Sequence, residues 1–405
     1  MAENQPSKNH GWLVASSGLG INLALGVLYT WSLFKVAIEK EFGWKGDQLN
    51  DPYALCCLVF AFAMIVAGKC QDKFGPRVTA SLGGLLVGVG MGLISTTNSY
   101  SAWLLGFGVL IGVGIGFGYS SATPPALKWF PPAKTGLVAG IVVAGFGLAP
   151  LYLAPTSQFL LTHFGLQKSM LVFGLAFTAI IILLAQMLKN PPAGFSAAPQ
   201  NISATNKIAA SSTPKEMLRS PMFYLLWLIY FIGAGAGLMV ISSVSGMAKK
   251  SMGVNAFIAV AVMAIGNAGG RIIAGILSDK IGRRWTLMLV LAVQAALMFV
   301  AIPVTANKET TPLLIVLVAT FIGFNYGANL SLFPSLTKDF WGLKNFGMNY
   351  GVLFTAWGVG GFVLSRLQQM LTTAAKGSFE SSFTVAGAFL LGGAALTLFI
   401  RPPAK

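Results

Sequence analysis

At least ten stretches of this chain carry 18 or more mostly apolar residues. A helix of that length rises about 1.5 Å per residue and reaches across about 30 Å of hydrocarbon. This one feature constrains the fold more than any other. Charged residues make up only 9% of the chain and hydrophobic ones 55%. The sequence therefore predicts an all-α polytopic membrane protein, with the bilayer setting the organisation that a core would set in a soluble chain.

Twelve helices are expected, at 11–34, 52–70, 78–96, 101–122, 136–160, 168–189, 221–243, 254–278, 285–304, 312–335, 347–370 and 380–400. The longest polar interruption, Lys189 to Ser220, is rich in Pro, Ala, Ser and Asn and reads as a flexible linker. It divides the chain into an N-terminal six-helix bundle at 1–189, a linker at 190–219 and a C-terminal six-helix bundle at 220–405. The first run is longer than a signal-peptide core, lacks a cleavage site and is followed by further spans, so it is expected to remain as a span. A formal charge of +16 would point to nucleic acid in a soluble protein, but here the positive residues mostly occupy short loops. With both termini cytoplasmic, the inward segments hold seventeen Lys and Arg and the outward ones nine, Arg271 being the last of the 27. That bias predicts cytoplasmic termini. Cys56, Cys57 and Cys70 argue for neither a disulfide nor a metal site, and His10 and His163 make a poor metal pair.

Two loops repeat. After span 2 the chain reads Gly68-Lys-Cys-Gln-Asp72-Lys73-Phe-Gly75-Pro-Arg77, and after span 8 Gly275-Ile-Leu-Ser-Asp279-Lys280-Ile-Gly282-Arg283-Arg284. Each follows the second span of its half and fits G-x-x-x-D-K-x-G-x-R. Glycine permits a tight turn, and the Asp can cap a helix or pair with a nearby Arg. The pattern resembles the signature loop of the major facilitator superfamily, over nearly the whole chain. The resemblance implies two bundles around a central cavity lined by spans 1, 4, 7 and 10, with contributions from 5, 8 and 11, and transport by rocking one half against the other. It also implies a gating role for Asp72, Arg77, Asp279, Arg283 and Arg284.

Arg271 lies inside the apolar run from Ile258 to Leu277, and all eleven acids lie in loops or at span edges. A guanidinium in hydrocarbon costs about 2.5–3.5 kcal/mol on insertion scales. Arg271 either meets a substrate anion, for which its planar fork suits a carboxylate, or snorkels to the membrane face. Asn267, four residues earlier, shares its helix face; it could orient the guanidinium, touch the substrate, or link two helices. Gly266, Gly269 and Gly270 around it permit close helix approach.

Span 10 carries Asn325, Tyr326 and Asn329, and span 1 carries Asn22, Leu28, Tyr29, Trp31 and Ser32. Asn22 and Tyr29 share one face, and Leu28 and Ser32 another. Asn325 and Tyr326 are candidates for a wet surface, Leu28 and Tyr29 for contacts beside a carboxylate. Span 4 places glycine at nearly every second position from Gly106 to Gly118, ahead of Tyr119. Those glycines read as packing and Tyr119 as a candidate hydroxyl, with Pro124-Pro125 and Pro131-Pro132 expected to end the helix. No phosphate-binding G-x-x-x-x-G-K-[ST] or nucleophile–His–acid set occurs, so neither a cofactor nor an enzyme is expected.

Tyr29-Thr-Trp31-Ser32-Leu in span 1 and Asn267-Ala-Gly-Gly-Arg271 in span 8 resemble the branch shared by oxalate/formate antiporters and bacterial monocarboxylate transporters. By that resemblance Arg271 binds the carboxylate. Oxalate transporters of this kind carry a second cation, a Lys, in span 11 where Trp357 stands here. One cation balances one carboxylate, so the expected substrate is a small monoanion such as lactate or pyruvate, with oxalate/formate exchange, and then sugar or drug transport, as the alternatives. Animal relatives carry an Asp and a Lys where Asn267 and Trp31 stand. A proton is the expected coupling ion, with no acid identified to carry it. The chain is expected to work as a monomer in contact with lipid.

Overall fold

The computed structural model describes residues 10–131, 135–192, 195, 212–307, 310–342 and 345–401; at 72, 135, 136 and 250 it describes the backbone alone. Eleven helices are long and apolar enough to cross a membrane, and no strand occurs among the described residues. One of the eleven, Leu137–Ala185, has 49 residues. Unbroken, it would extend about 74 Å, more than twice the hydrocarbon thickness. It breaks at Gly165, φ 73° and ψ 175°, a conformation that glycine adopts without strain, and so makes two crossings.

The twelve crossings are α1 Gly11–Phe42, α2 Asp51–Gln71, α3 Lys73–Ser95, α4 Tyr100–Leu127, α5 137–164, α6 166–185, α7 Pro221–Ile241, α8 Gly253–Ile281, α9 Arg283–Ala306, α10 Pro312–Trp341, α11 Phe346–Ala374 and α12 Glu380–Phe399. An even number among the described residues puts residues 10 and 401 on one face, called here the termini face. α1 runs beyond the expected 34 to Phe42, through a 3₁₀ turn at Gly26–Thr30. α4 also runs past its expected end. Pro124 and Pro125 lie inside it, and it stops at Leu127. A proline ring fixes φ at a helical value, but it forfeits an N–H bond and crowds the carbonyl four residues back, and the helix ends within one turn of the pair.

The repeat seen in the sequence is also a repeat of backbone. Gly75 (φ 83°, ψ 169°) makes the corner in the first turn of α3 and Gly282 (φ 91°, ψ 150°) the corner between α8 and α9, both at the termini face. The glycines of α4 serve close approach: a Cβ at Gly114 would stand 2.7 Å from the Gly83 carbonyl oxygen of α3. Where no Cβ intervenes, dispersion between backbones replaces the missing hydrophobic drive between helices in lipid.

Across the two halves, α2 packs on α11 and α5 on α8. Among the described residues the polar links between halves have a one-sided distribution. At the face opposite the termini, the Asp51 carboxylate lies 3.1 Å from Arg366 Nε, Lys35 Nζ donates to Gln369 Oε1 at 2.5 Å, and the Tyr53 hydroxyl donates to the Leu238 carbonyl at 3.3 Å. Two more sit at mid-depth, in the site below. The ion pairs at the termini face, Arg283 with Asp279 and Asp339, stay within one half.

Candidate functional site

The site begins with a seam between α8 and α10. A methyl on Gly270 would fall inside the van der Waals radius of the Phe324 carbonyl, one on Gly266 would meet Thr320, and one on Gly327 would meet the Asn267 carbonyl. This backbone contact fixes the height and rotation of α8, and with it the direction of Arg271.

Arg271 is buried, 2% exposed. Its Nε donates to Asn267 Oδ1 at 3.0 Å, so Asn267 orients the fork from one turn away. Nη1 crosses to the other half and donates to the Val143 carbonyl of α5. The guanidinium lies over Gly147, where a Cβ would be 3.3 Å from Cζ. Nη2 has no hydrogen-bond partner among the described residues, and no carboxylate reaches the group. A buried donor left unpaired costs about 1–3 kcal/mol, more when charged. The arrangement holds two nitrogens and leaves the third for an acceptor.

Aromatic rings surround this point. Tyr29 meets Phe146 edge-on at 4.8 Å, and its hydroxyl lies 2.5 Å from that of Tyr326, joining α1 to α10. Trp357 Nε1 donates to the same Tyr326 hydroxyl at 2.8 Å. Tyr119 packs against Phe60, Phe146 and Phe354. Gly147, which lies against the guanidinium, follows Phe146 in the chain, and Gly327, which lies against the Asn267 amide, follows Tyr326.

Arg271, Asn267, Tyr29, Tyr119 and Tyr326 thus converge at mid-depth. Leu28 is buried in the 3₁₀ turn of α1. Asn325 donates to the Phe321 carbonyl of its own helix. Asn329 bonds Gln294 of α9, which in turn bonds the Gly233 carbonyl of α7, so that polar link ties three helices of one half. Trp31 points into the N-terminal half and donates to the Leu49 carbonyl at 3.2 Å. Sequence reasoning missed Val143, Phe146 and Gly147. The pair Gly145 and Gly147 flanking Phe146 was the available signal.

In the repeated loops, Arg283 pairs with Asp279 at 2.7 Å and with Asp339 of α10 at 3.2 Å. Arg77 Nε donates to the Leu188 carbonyl at 2.9 Å, and Arg284 stacks on Trp285. The side chain of Asp72 lies outside the described residues.

The family model described as Major Facilitator Superfamily matches residues 15–365, and again 258–405. The chain belongs to the major facilitator superfamily. Within that superfamily it is 31% identical over 357 residues to "Uncharacterized MFS-type transporter YhjX" of Escherichia coli, covering 86% of this chain and 85% of the relative. It is 31% identical over 334 residues to "Oxalate:formate antiporter" of Oxalobacter formigenes, covering 82% and 77%. It is 25% identical over 403 residues to "Monocarboxylate transporter 11" of Mus musculus, covering 96% and 87%. This facilitator is therefore a multi-pass transporter related to an oxalate:formate antiporter and to a monocarboxylate transporter.

Proposed function

We propose that this chain carries a small monocarboxylate such as lactate or pyruvate by alternating access, together with a proton, and that Arg271 binds the carboxylate. The observation that carries the reading is the buried guanidinium with Nη2 unpaired. Charge balance supports a monoanion: among the described residues the site holds one cation, and a second carboxylate would be buried without a partner. Tyr29, Tyr119 and Tyr326 supply hydroxyls beside it, and Asn267 sets the fork. The oxalate:formate relative supports a second reading, exchange of a dianion for a monoanion.

Uptake into proteoliposomes separates the two. Labelled lactate and pyruvate are expected to accumulate under an inward proton gradient, and collapse of the gradient should abolish the accumulation. Oxalate displacing both at neutral pH would instead support the exchange reading. Trp357→Lys, which adds a second cation beside Tyr326, should then move preference toward dianions.

The bundles at 1–189 and 220–405, joined by the linker at 190–219, are the rocking bodies, with both termini cytoplasmic in a bacterial inner membrane. The repeated loops at that face control the exchange between states, and one chain suffices. Asp279 is two-thirds exposed, so its pair with Arg283 adds at most about 1 kcal/mol of stability. Asp279→Asn is expected to lower turnover severalfold while leaving melting temperature and substrate affinity near wild type. A loss of affinity at unchanged turnover would move Asp279 from gate to binding site.

A further inference from the structure

We propose that Asn22 reads the hydroxyl of a 2-hydroxy monocarboxylate in this same site, an inference that rests on Arg271 holding the carboxylate. Asn22 stands seven residues before Tyr29 on α1, hence on the same helix face, and is fully buried. Its Nδ2 donates to the Val142 carbonyl at 2.8 Å. The next carbonyl along α5, that of Val143, accepts from Arg271. Two successive peptide groups of one helix therefore hold a side chain from each half. Their oxygens lie about 3–4 Å apart by helix geometry. Gly145 lets α1 approach at this height, since a Cβ there would stand 3.2 Å from that of Asn22.

Each side chain leaves one polar atom without a partner among the described residues, Oδ1 of Asn22 and Nη2 of Arg271. The orientation of the amide follows from its partner. A carbonyl only accepts, so Nδ2 faces Val142 and Oδ1 is the atom left over. The two orphans are of opposite kind. Nη2 is a charged donor and needs an anion. Oδ1 is an acceptor and needs an O–H or N–H. A carboxylate has no proton to give, and a 2-oxo acid adds only a further acceptor. A 2-amino acid would bring its ammonium up to the guanidinium. A 2-hydroxy acid presents a carboxylate and, on the adjacent carbon, a hydroxyl that donates, so it satisfies both atoms.

The test is equilibrium binding of L-lactate, pyruvate and propionate to the purified full-length protein, propionate being lactate without its hydroxyl. Wild type is expected to bind lactate about 10- to 100-fold more tightly than either of the others, because they leave a buried acceptor unpaired. Asn22→Ala should bring lactate down to the level of propionate and leave propionate within about threefold. A purely structural tie would weaken all three ligands together, and that result overturns the inference, as does a lactate preference that survives in Asn22→Ala. If Asn22→Ala does not fold, Asn22→Ser, which keeps an oxygen acceptor, and the wild-type ranking decide; equal wild-type affinities overturn the inference. Binding of all three without preference removes this inference alone. Binding of none, or binding indifferent to Arg271→Gln, removes the carboxylate reading with it.

Discussion

Arg271→Lys is expected to bind its best substrate about 10- to 100-fold more weakly than wild type, with transport falling at least as far, while the protein purifies as well as before. Lysine keeps the charge and loses the geometry. The guanidinium spends Nε on Asn267 and Nη1 on Val143, and those bonds aim Nη2. An ammonium on a flexible stem satisfies at most part of this set. A hydrogen bond to a charged group is worth about 1.5–3 kcal/mol, and each 1.4 kcal/mol is about a factor of ten in affinity. Arg271→Gln, without the charge, should lose more. Isothermal titration on monodisperse protein, paired with proteoliposome uptake, measures both quantities. Wild-type constants in Arg271→Lys would remove the fork from the mechanism.

Gly270→Ala is expected to damage the whole fold, although it adds a single methyl group. The atom it would meet is the Phe324 carbonyl oxygen, part of the α10 backbone. No rotamer change relieves a clash with backbone, so the two helices must part, and the seam at Gly266, Gly323 and Gly327 parts with them. Overpacking costs about 1–3 kcal/mol when side chains can yield, and occasionally more; here the upper end or beyond is expected. The thermal midpoint of the purified protein should fall by many degrees, or no monodisperse protein should be recovered. Gly269→Ala is the control. Its Cβ would meet only the Phe324 ring, at 3.9 Å, and its stability should stay near wild type.

The spans were legible because lipid imposes one demand on each of them, apolarity over a bilayer's thickness. Arg271 was legible as the one cation that this demand forbids. The corners at Gly75 and Gly282 were legible because the motif occurs twice. What remained hidden depends on contacts between helices. Asn325 and Tyr326 are neighbours about 100° apart on α10. The rotation of that helix, set by its glycine seam with α8, turns Tyr326 to Tyr29 and Trp357 and leaves Asn325 bonded within its own helix. The Val143 carbonyl could not be picked out, since every residue has one and only packing selects which meets a guanidinium. The end of α4 falls later than expected because proline's fixed φ is itself helical, so the pair weakens the helix without setting the residue at which it stops.

The polar fastenings between halves, Asp51 with Arg366, Lys35 with Gln369, Tyr53 with Leu238 and Tyr29 with Tyr326, run from mid-depth to the face opposite the termini. While these fastenings hold, a ligand can reach the buried site only by parting the halves at the termini face, so molecules held this way are approachable from one compartment at most. Vesicles that incorporate the protein in both orientations therefore hold two kinds of molecule. An impermeant blocker added outside would silence those whose termini face outward, and its titration would level off at that fraction. The height of that plateau reports how the molecules were inserted, and permeabilising the vesicles should carry the inhibition to completion.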